Sequence, residues 1–142
     1  MNRRIHRVVI DTNVLIRYLM RPSAAIRELI EVQWIGGVVQ MVTAPELVAA
    51  LKDVLSRAKL QRFIAIEDGQ VLVDTVQHLA QMLPRLGDVP AYTRDPKDDK
   101  FVACALLGQV DYLISVDEDL LVLQRMGTIG IVTPQTFLAL RM

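Results

Sequence analysis

The stretch VVIDTNVLI, residues 8–16, changes its hydrophobic pattern halfway along. The residues before Asp11 form a short apolar β-branched run, which is typical of a strand buried on both faces of a parallel sheet. After Asp11 the apolar residues recur at helical spacing, with Asn13 as the predicted N-cap. The stretch therefore predicts a strand that leads directly into a helix.

The rest of the chain repeats this alternation of strands and helices. Further strands are predicted at 38–43, 111–116 and 129–133. Further helices are predicted at 23–35, 45–60, 66–83, 99–109 and 117–126, and from about residue 134. Such an order predicts an α/β class fold with three layers, α/β/α, around a central parallel sheet of about four to five strands. We interpret residues 1–142 as one domain, since this length fits a single core.

The composition is that of a globular protein, with 52% hydrophobic residues. The longest stretch without a charge has 14 residues and ends at Pro45, whereas about 18 are needed to span a bilayer, so no membrane association is expected. The single cysteine, Cys104, allows no internal disulfide, and with only two histidines in the chain a Cys/His zinc site is excluded. This pattern predicts a cytoplasmic protein.

The charges balance, with 16 basic and 16 acidic residues. A neutral protein has no global field that attracts a polyanion, so any nucleic acid would have to be held by local cations or by a metal ion. The cations that we predict to contact RNA are Arg17, Arg57, Lys59, Arg94, Lys97 and Lys100.

Four acids are predicted to meet at one edge of the sheet. Asp11 and Asp117 follow the predicted ends of two strands, and ligands of parallel sheets bind beyond these carboxyl ends. Asp98 opens a helix after a loop, and Glu46 lies in the first turn of the helix after another strand. Each acid taken alone could instead be a helix cap or a first-turn acid. Their joint placement favours a functional site.

Such a cluster of carboxylates requires neutralisation. Two carboxylates about 5 Å apart repel by roughly 3 kcal/mol at an effective dielectric constant near 20. Protons or a cation can remove this repulsion. Oxygen ligands without His or Cys suit Mg²⁺ or Mn²⁺, which can orient water for attack on a phosphodiester.

Four segments of the chain carry a resemblance to a known family. They are VVIDTNVLI, PELVAALKDVLSRAK, RDPKDDKFVACAL and DYLISVDEDLL. In order and spacing these segments resemble a PIN domain, of the kind found in VapC-like toxins and related bacterial proteins. The resemblance implies an Mg²⁺- or Mn²⁺-dependent endoribonuclease, and specifically the toxin component of a toxin–antitoxin pair. It also implies an RNA substrate, an antitoxin protein as partner and a homodimer.

The resemblance also implies roles for individual residues. Asp11, Asp98 and Asp117 match three of the family's acids and would be metal ligands. The neighbours that the same motifs carry, with secondary roles, are Thr12, Asn13, Asp99 (the runner-up to Asp98) and Asp119 (the companion of Asp117).

The middle segment departs from the family pattern. A Glu of the family falls at position 50, where this chain has Ala50, and the Ser six residues earlier falls at Ala44. Glu46 lies one helical turn before Ala50 on the same face and is the candidate substitute in the catalytic set.

Two other classes of function remain open from the residues. A catalytically degenerate PIN domain would act as an RNA-binding or protein-interaction module, and the missing Glu favours it. Phosphotransfer by a receiver domain or a haloacid-dehalogenase-like phosphatase also uses acids at the edge of a parallel sheet. Those folds require adjacent acids at the first strand or a D-x-D nucleophile, whereas Asp11 is followed by Thr12 and Asn13.

Overall fold

The computed structural model describes residues 5–141, which contain one six-stranded sheet in the order β3-β2-β1-β4-β6-β5. The strands are β1 (Arg7–Ile10), β2 (Gln40–Thr43), β3 (Gln81–Met82), β4 (Tyr112–Ile114), β5 (Arg125–Met126) and β6 (Ile129–Val132). All neighbouring strands pair in parallel except β5 and β6, which are antiparallel.

The helices connect and cover these strands. They are α1 (Thr12–Met20), α2 (Ala24–Arg27), α3 (Pro45–Leu55), α4 (Ala58–Gln61), α5 (Ile66–Leu79), α6 (Asp99–Leu107), α7 (Glu118–Leu121) and α8 (Pro134–Leu140). A π-helical segment, Glu28–Trp34, continues α2, and a 3₁₀ turn, Pro96–Asp98, leads into α6. No helix of residues 5–141 is long and apolar enough to cross a membrane.

Successive residues of the central strand face opposite layers. Val8 and Ile10 pack with α1, α3, α5 and α8, whereas Val9 packs with α6 and α7. All three side chains are buried. The predicted three-layer α/β/α fold is therefore confirmed, because β1 needs apolar cover on both of its faces.

The strand count was predicted too low. The sheet has six strands rather than four or five, and the two additional ones, β3 and β5, have two residues each. Gln81–Met82 was assigned to the end of the helix predicted at 66–83, but α5 ends at Leu79 and the chain then pairs beside β2. Such short edge strands form because the neighbouring strand offers unpaired backbone groups. Two residues are too few to show a hydrophobic period of their own.

The segment predicted as a helix over 117–126 divides in a similar way. Helix α7 ends at Leu121, and Gln124 adopts a positive φ of 60°. That conformation turns the chain so that β5 pairs antiparallel with β6 around Gly127, whose φ is 61°. Pairing with β6 therefore replaces the last helical turns.

Two helix boundaries also differ from the prediction. The helix predicted at 45–60 breaks after Leu55, where the Ser56 hydroxyl donates to the Asp53 carbonyl at 2.7 Å and Arg57 is extended. Local bonding by a serine side chain competes with the helical pattern. At the start of α1 the N-cap is Asp11 rather than Asn13, because the backbone N–H of Asn13 donates to Asp11 Oδ1 at 3.3 Å.

Candidate metal-binding active site

A cleft of about 630 Å³ opens at the carboxyl end of the sheet. Neighbouring strands β1 and β4 end beside each other there, with Ile10 opposite Ile114. The acids that line the cleft are Asp11, Glu46, Asp53, Asp95, Asp98 and Asp117. Thr12 and Asn13 also line it, so the edge of the sheet brings together residues from four different parts of the chain.

Asp11 is held rigidly at the end of β1. Only 2% of its surface is exposed, and its Oδ2 accepts a hydrogen bond from the Ser115 hydroxyl at 2.7 Å. Burial raises the pKa of Asp11; the hydrogen bonds from Ser115 and the Asn13 N–H oppose this, and the charge of Asp117 adds to it. The two hydrogen bonds to Asp11 therefore do not fully offset the cost of burying its negative charge.

Asp117 is connected to Asp11 through the same serine. Its backbone N–H donates to the Ser115 hydroxyl oxygen at 2.9 Å, so Ser115 links the ends of the two strands. Asp117 Oδ1 accepts from the Asp119 N–H at 2.9 Å, which makes Asp117 the N-cap of α7. Asp117 therefore caps α7 and also lines the cleft.

Asp98 differs from Asp117 because its side chain makes no capping hydrogen bond, although it occupies the N-cap position of α6. It is 7% exposed, and its buried Oδ2 has no hydrogen-bond partner among the described residues. Burial, followed by the charges of Asp117 and Asp11, raises the pKa of Asp98 to about 7. The contribution of Asp117 to this raised pKa indicates that the two carboxyl groups lie close together.

Asp99, the runner-up to Asp98, holds the preceding loop. Its Oδ1 accepts from the backbone N–H groups of Tyr92 at 3.0 Å and Thr93 at 2.8 Å. Burial disfavours the ionised carboxylate of Asp99, but these hydrogen bonds outweigh it and lower the pKa. The structure therefore gives Asp99 a bonded role in the loop and places Asp98 in the cleft.

Glu46 lines the cleft but has partners in another segment. Its Oε2 accepts from the backbone N–H groups of Leu86 at 2.8 Å and Gly87 at 3.1 Å. Burial raises the pKa of Glu46, yet these bonds and the nearby Arg85 lower it overall. Glu46 Oε1 is buried, and no described residue forms a hydrogen bond with it. The carboxylate is thus anchored to the loop after β3, while position 50 presents only the methyl group of Ala50 to the cleft.

Two acids of the cleft were missing from the predicted site. Asp53 lies in α3 and forms an exposed ion pair with Arg57 at 3.2 Å. Asp95 precedes the 3₁₀ turn, and carboxylate oxygens of Asp95, Asp98 and Asp119 lie within 4.8 Å of one another. The density of acids in the segment RDPKDDK was the available signal for Asp95, but its orientation depends on the turn.

The six cations predicted to contact RNA are distributed unevenly. Arg57, Lys97 and Lys100 line the cleft, and Lys100 lowers the pKa of Asp11. Arg94 reaches Asp119 Oδ1 at 2.8 Å. The structure shows Arg17 and Lys59 as exposed side chains that are not among the residues lining this cleft.

The donor set fits a hard divalent cation. The cleft offers carboxylate oxygens without a described His or Cys, which is the ligand chemistry of Mg²⁺ and Mn²⁺. The buried and unpartnered Oδ2 of Asp98 is the kind of oxygen that a bound cation satisfies. Asp11 and Asp117 are the neighbouring carboxylates, and their charges disfavour the ionised form of Asp98 when no cation is bound.

Acids at this edge of a parallel sheet are compatible with metal-dependent nucleases and with the phosphotransfer folds considered above, so the family comparison decides between these classes. The family model of the PIN domain matches residues 7–119, and the chain belongs to the PIN domain family. The resemblance to this family is therefore confirmed, and the phosphotransfer folds considered as an alternative are not the family that matches. PIN domains are generally nucleases that bind divalent metal. A search among curated proteins found no match to this chain.

Proposed function

We propose that this protein is an Mg²⁺- or Mn²⁺-dependent endoribonuclease in which Asp11, Asp98 and Asp117 hold the metal. The observation that carries the proposal is the buried Oδ2 of Asp98, which has no described partner and lies among carboxylates. A bound divalent ion would supply charge stabilisation and an activated water for phosphodiester hydrolysis.

The chain's own residues have distinct tasks in this proposal. The Ser115 hydroxyl holds the Asp11 carboxylate in place and fixes the start of α7 through the Asp117 N–H. Burial of Asp11 and Asp98 shields both carboxyl groups from bulk water. Thr12 and Asn13 line the cleft and are proposed to contact substrate or bound water. Such outer contacts orient metal ligands and tune affinity.

RNA would be held by the cations around the cleft. The net charge is zero, so attraction has to be local, and Arg57, Lys97 and Lys100 are placed at the cleft itself. Arg94 lies near Asp119 and can contribute from the rim. Phosphate contacts of this type position a nucleic acid without reading its sequence.

The proposed biological setting is the toxin component of a bacterial toxin–antitoxin system in the cytoplasm. The VapC-like resemblance of the four segments supports this setting, as does the presence of only one cysteine. An antitoxin protein and a second copy of the chain are the proposed partners. The alternative is a catalytically degenerate PIN domain that binds RNA or protein, and the specific observation in its favour is Ala50 at the position of the family's Glu.

The test is cleavage of RNA by the purified full chain, with Mg²⁺ or Mn²⁺ and with EDTA. We expect cleavage that EDTA abolishes and added Mn²⁺ restores. Asp11→Asn keeps an oxygen for the Asn13 N–H but removes the charge, and should be inactive. Asp88→Asn, at an exposed acid of the loop, is the matched control and should retain activity. RNA binding without metal-dependent cleavage would favour the non-catalytic module instead.

A further inference from the structure

A side pocket of about 420 Å³ lies between α3, α4 and α5, next to the cleft. The residues that line it include Lys52, Leu55, Gln61, Ile64, Ile66 and Gln70. We propose that this side pocket binds one unstacked base, adenine by preference, of a single-stranded RNA whose backbone lies in the cleft. The inference rests on the proposed function of the cleft, but base binding can be tested without cleavage.

The end of α3 lies between the side pocket and the cleft. Asp53 and Arg57 line the cleft, whereas Leu55 and Ser56 line the side pocket. The two openings are therefore separated by the width of one helix, about 10 Å. An RNA strand that leaves the cleft past Arg57 reaches the side pocket directly.

The walls of the side pocket have the chemistry of a base-binding site. Ile64 and Val73 are buried, and Ile66, which is 67% exposed, extends the apolar surface toward solvent. No described residue that lines the side pocket carries a carboxylate, whereas six acids line the cleft. Proteins bind an unstacked base with apolar or aromatic side chains against its face and polar groups at its edge. The volume also falls within the range of pockets that hold small organic ligands.

Two glutamines supply polar groups for the edge of a base. The side-chain amide of Gln61 forms no hydrogen bond with another described residue. Gln70 Nε2 donates to Asp74 Oδ1 at 3.1 Å, so its carbonyl oxygen remains as an acceptor. A glutamine amide matches the N6 and N7 edge of adenine with two hydrogen bonds. Adenine is therefore the base that these side chains favour.

Gly69 leaves one wall of the side pocket without a side chain. It is the fourth residue of α5, where glycine is less favourable than alanine. A Cβ atom at this position would lie 3.4 Å from Leu55 Cδ2, which is an ordinary contact, so alanine would fit. Packing alone thus does not account for glycine here. Space for a ligand does, because functional sites are where local preferences are broken.

Positive charge surrounds the path between the two openings. Residues 52–62 carry four cations and one acid, and Lys52 lines the side pocket while Arg57 lines the cleft. Arg57 pairs with Asp53 at 3.2 Å, but both side chains are exposed, and such ion pairs contribute little stability. Arg57 can therefore turn to a phosphate at small cost. In a chain of zero net charge, attraction of RNA depends on local charge of this kind.

The experiment is fluorescence anisotropy of short labelled RNAs with the full chain in EDTA, where metal-dependent cleavage cannot occur. We expect oligoadenylate to bind at least about fivefold more tightly than oligouridylate. Gln61→Ala should remove most of this difference and leave the salt dependence unchanged, because no charge is lost. Gly69→Ala should weaken oligoadenylate binding without lowering the temperature of thermal unfolding, because alanine favours the helix.

Matched controls separate the side pocket from its surroundings. Gln77→Ala, at an exposed glutamine of α5 outside the side pocket, should keep the preference for adenine. Lys52→Gln should lower the slope of log affinity against log salt by about one unit, whereas Lys59→Gln, which lines neither opening, should not.

Two results would overturn the inference. One is that Gln61→Ala and Gly69→Ala bind both RNAs as the unsubstituted chain does. The other is that these variants change self-association in light scattering instead of RNA affinity, which would make the side pocket a protein interface. Metal-dependent cleavage with either result would contradict the side pocket but not the proposed function. A preference for adenine that Gln61→Ala removes, in a chain that never cleaves RNA, would support the side pocket and contradict the proposed function.

Discussion

The Ser115 hydroxyl donates to Asp11 Oδ2 at 2.7 Å, and this contact joins residues that are 104 positions apart in the chain. Both side chains are buried, with Ser115 fully excluded from solvent. The pairing of Ile10 with Ile114 in neighbouring strands brings the two residues together at the end of the sheet. A hydroxyl at this point donates to one oxygen of a buried carboxylate, whose other oxygen accepts from the Asn13 N–H.

Replacement of Ser115 by alanine should therefore affect metal binding as well as folding. Ser115→Ala removes the donor to Asp11, so the free energy of unfolding should fall by about 1–3 kcal/mol. Mn²⁺ affinity should fall by about 10- to 100-fold, because the Asp11 carboxylate loses its orientation. Calorimetric titration and thermal unfolding measure these effects. Ser56→Ala is the control for metal binding, and an equal loss of Mn²⁺ affinity in both variants would contradict the proposed role of Ser115.

The ionised carboxylate of Glu46 should stabilise the loop that contains Leu86 and Gly87. Hydrogen bonds from Leu86 and Gly87 keep the pKa of Glu46 below its ordinary value of 4.5, so the stability that they give is present above that value. It should be lost as pH falls through the lowered pKa of the folded state. Hydrogen exchange of the Leu86 and Gly87 amides should accelerate in that acid range. Glu46→Gln should remove this pH dependence and reduce RNase activity only modestly; complete loss of activity would show that Glu46 is a catalytic residue.

A glutamate at position 50 should strengthen the site. Ala50 lines the cleft in α3, and side chains in a helix lean toward its amino end, which here lies at the carboxyl edge of the sheet. Ala50→Glu should tighten Mn²⁺ binding and raise RNase activity, as judged by titration and by initial rates of RNA cleavage. The same substitution at the exposed Ala58 serves as control. No gain from Ala50→Glu beyond that control would mean that the carboxylate does not reach the metal.

The lysines at the cleft should contribute to RNA binding through charge. Lys97→Gln combined with Lys100→Gln should weaken RNA binding and reduce the slope of log affinity against log salt by about one unit per lost phosphate contact. Lys59→Gln, outside the cleft-lining residues, is the contrast and should change neither quantity. Fluorescence anisotropy over a range of salt concentrations would measure both. Unchanged affinity and slope in the double variant would assign Lys97 and Lys100 to solvated surface.

Much of the fold was predictable because it depends on local patterns. The change of hydrophobic period around Asp11 predicted β1 and α1, and Pro45 correctly predicted the start of α3. Position at the end of a strand is also a local property. The sequence could therefore predict that Asp11 and Asp117 would meet at one edge of the sheet.

Neighbouring acids in one segment could not be separated by pattern alone. Asp98 and Asp99 are adjacent and both buried, yet one lines the cleft and the other binds the backbone of Tyr92 and Thr93. Their directions are set by the 3₁₀ turn and by the path of the loop. Asp95 was missed for the same reason, since only the folded turn brings its carboxylate beside Asp98.

The sequence by itself determined the alternation of the longer strands and helices and the acids available at the edge. Tertiary structure alone decided which partner each acid has: Ser115 for Asp11, the loop backbone for Glu46 and no described donor for Asp98 Oδ2. The physical reason is the separation along the chain of the residues that interact. Hydrophobic period and strand ends follow from neighbours in the chain, whereas a buried carboxylate is satisfied by groups that folding brings from distant segments.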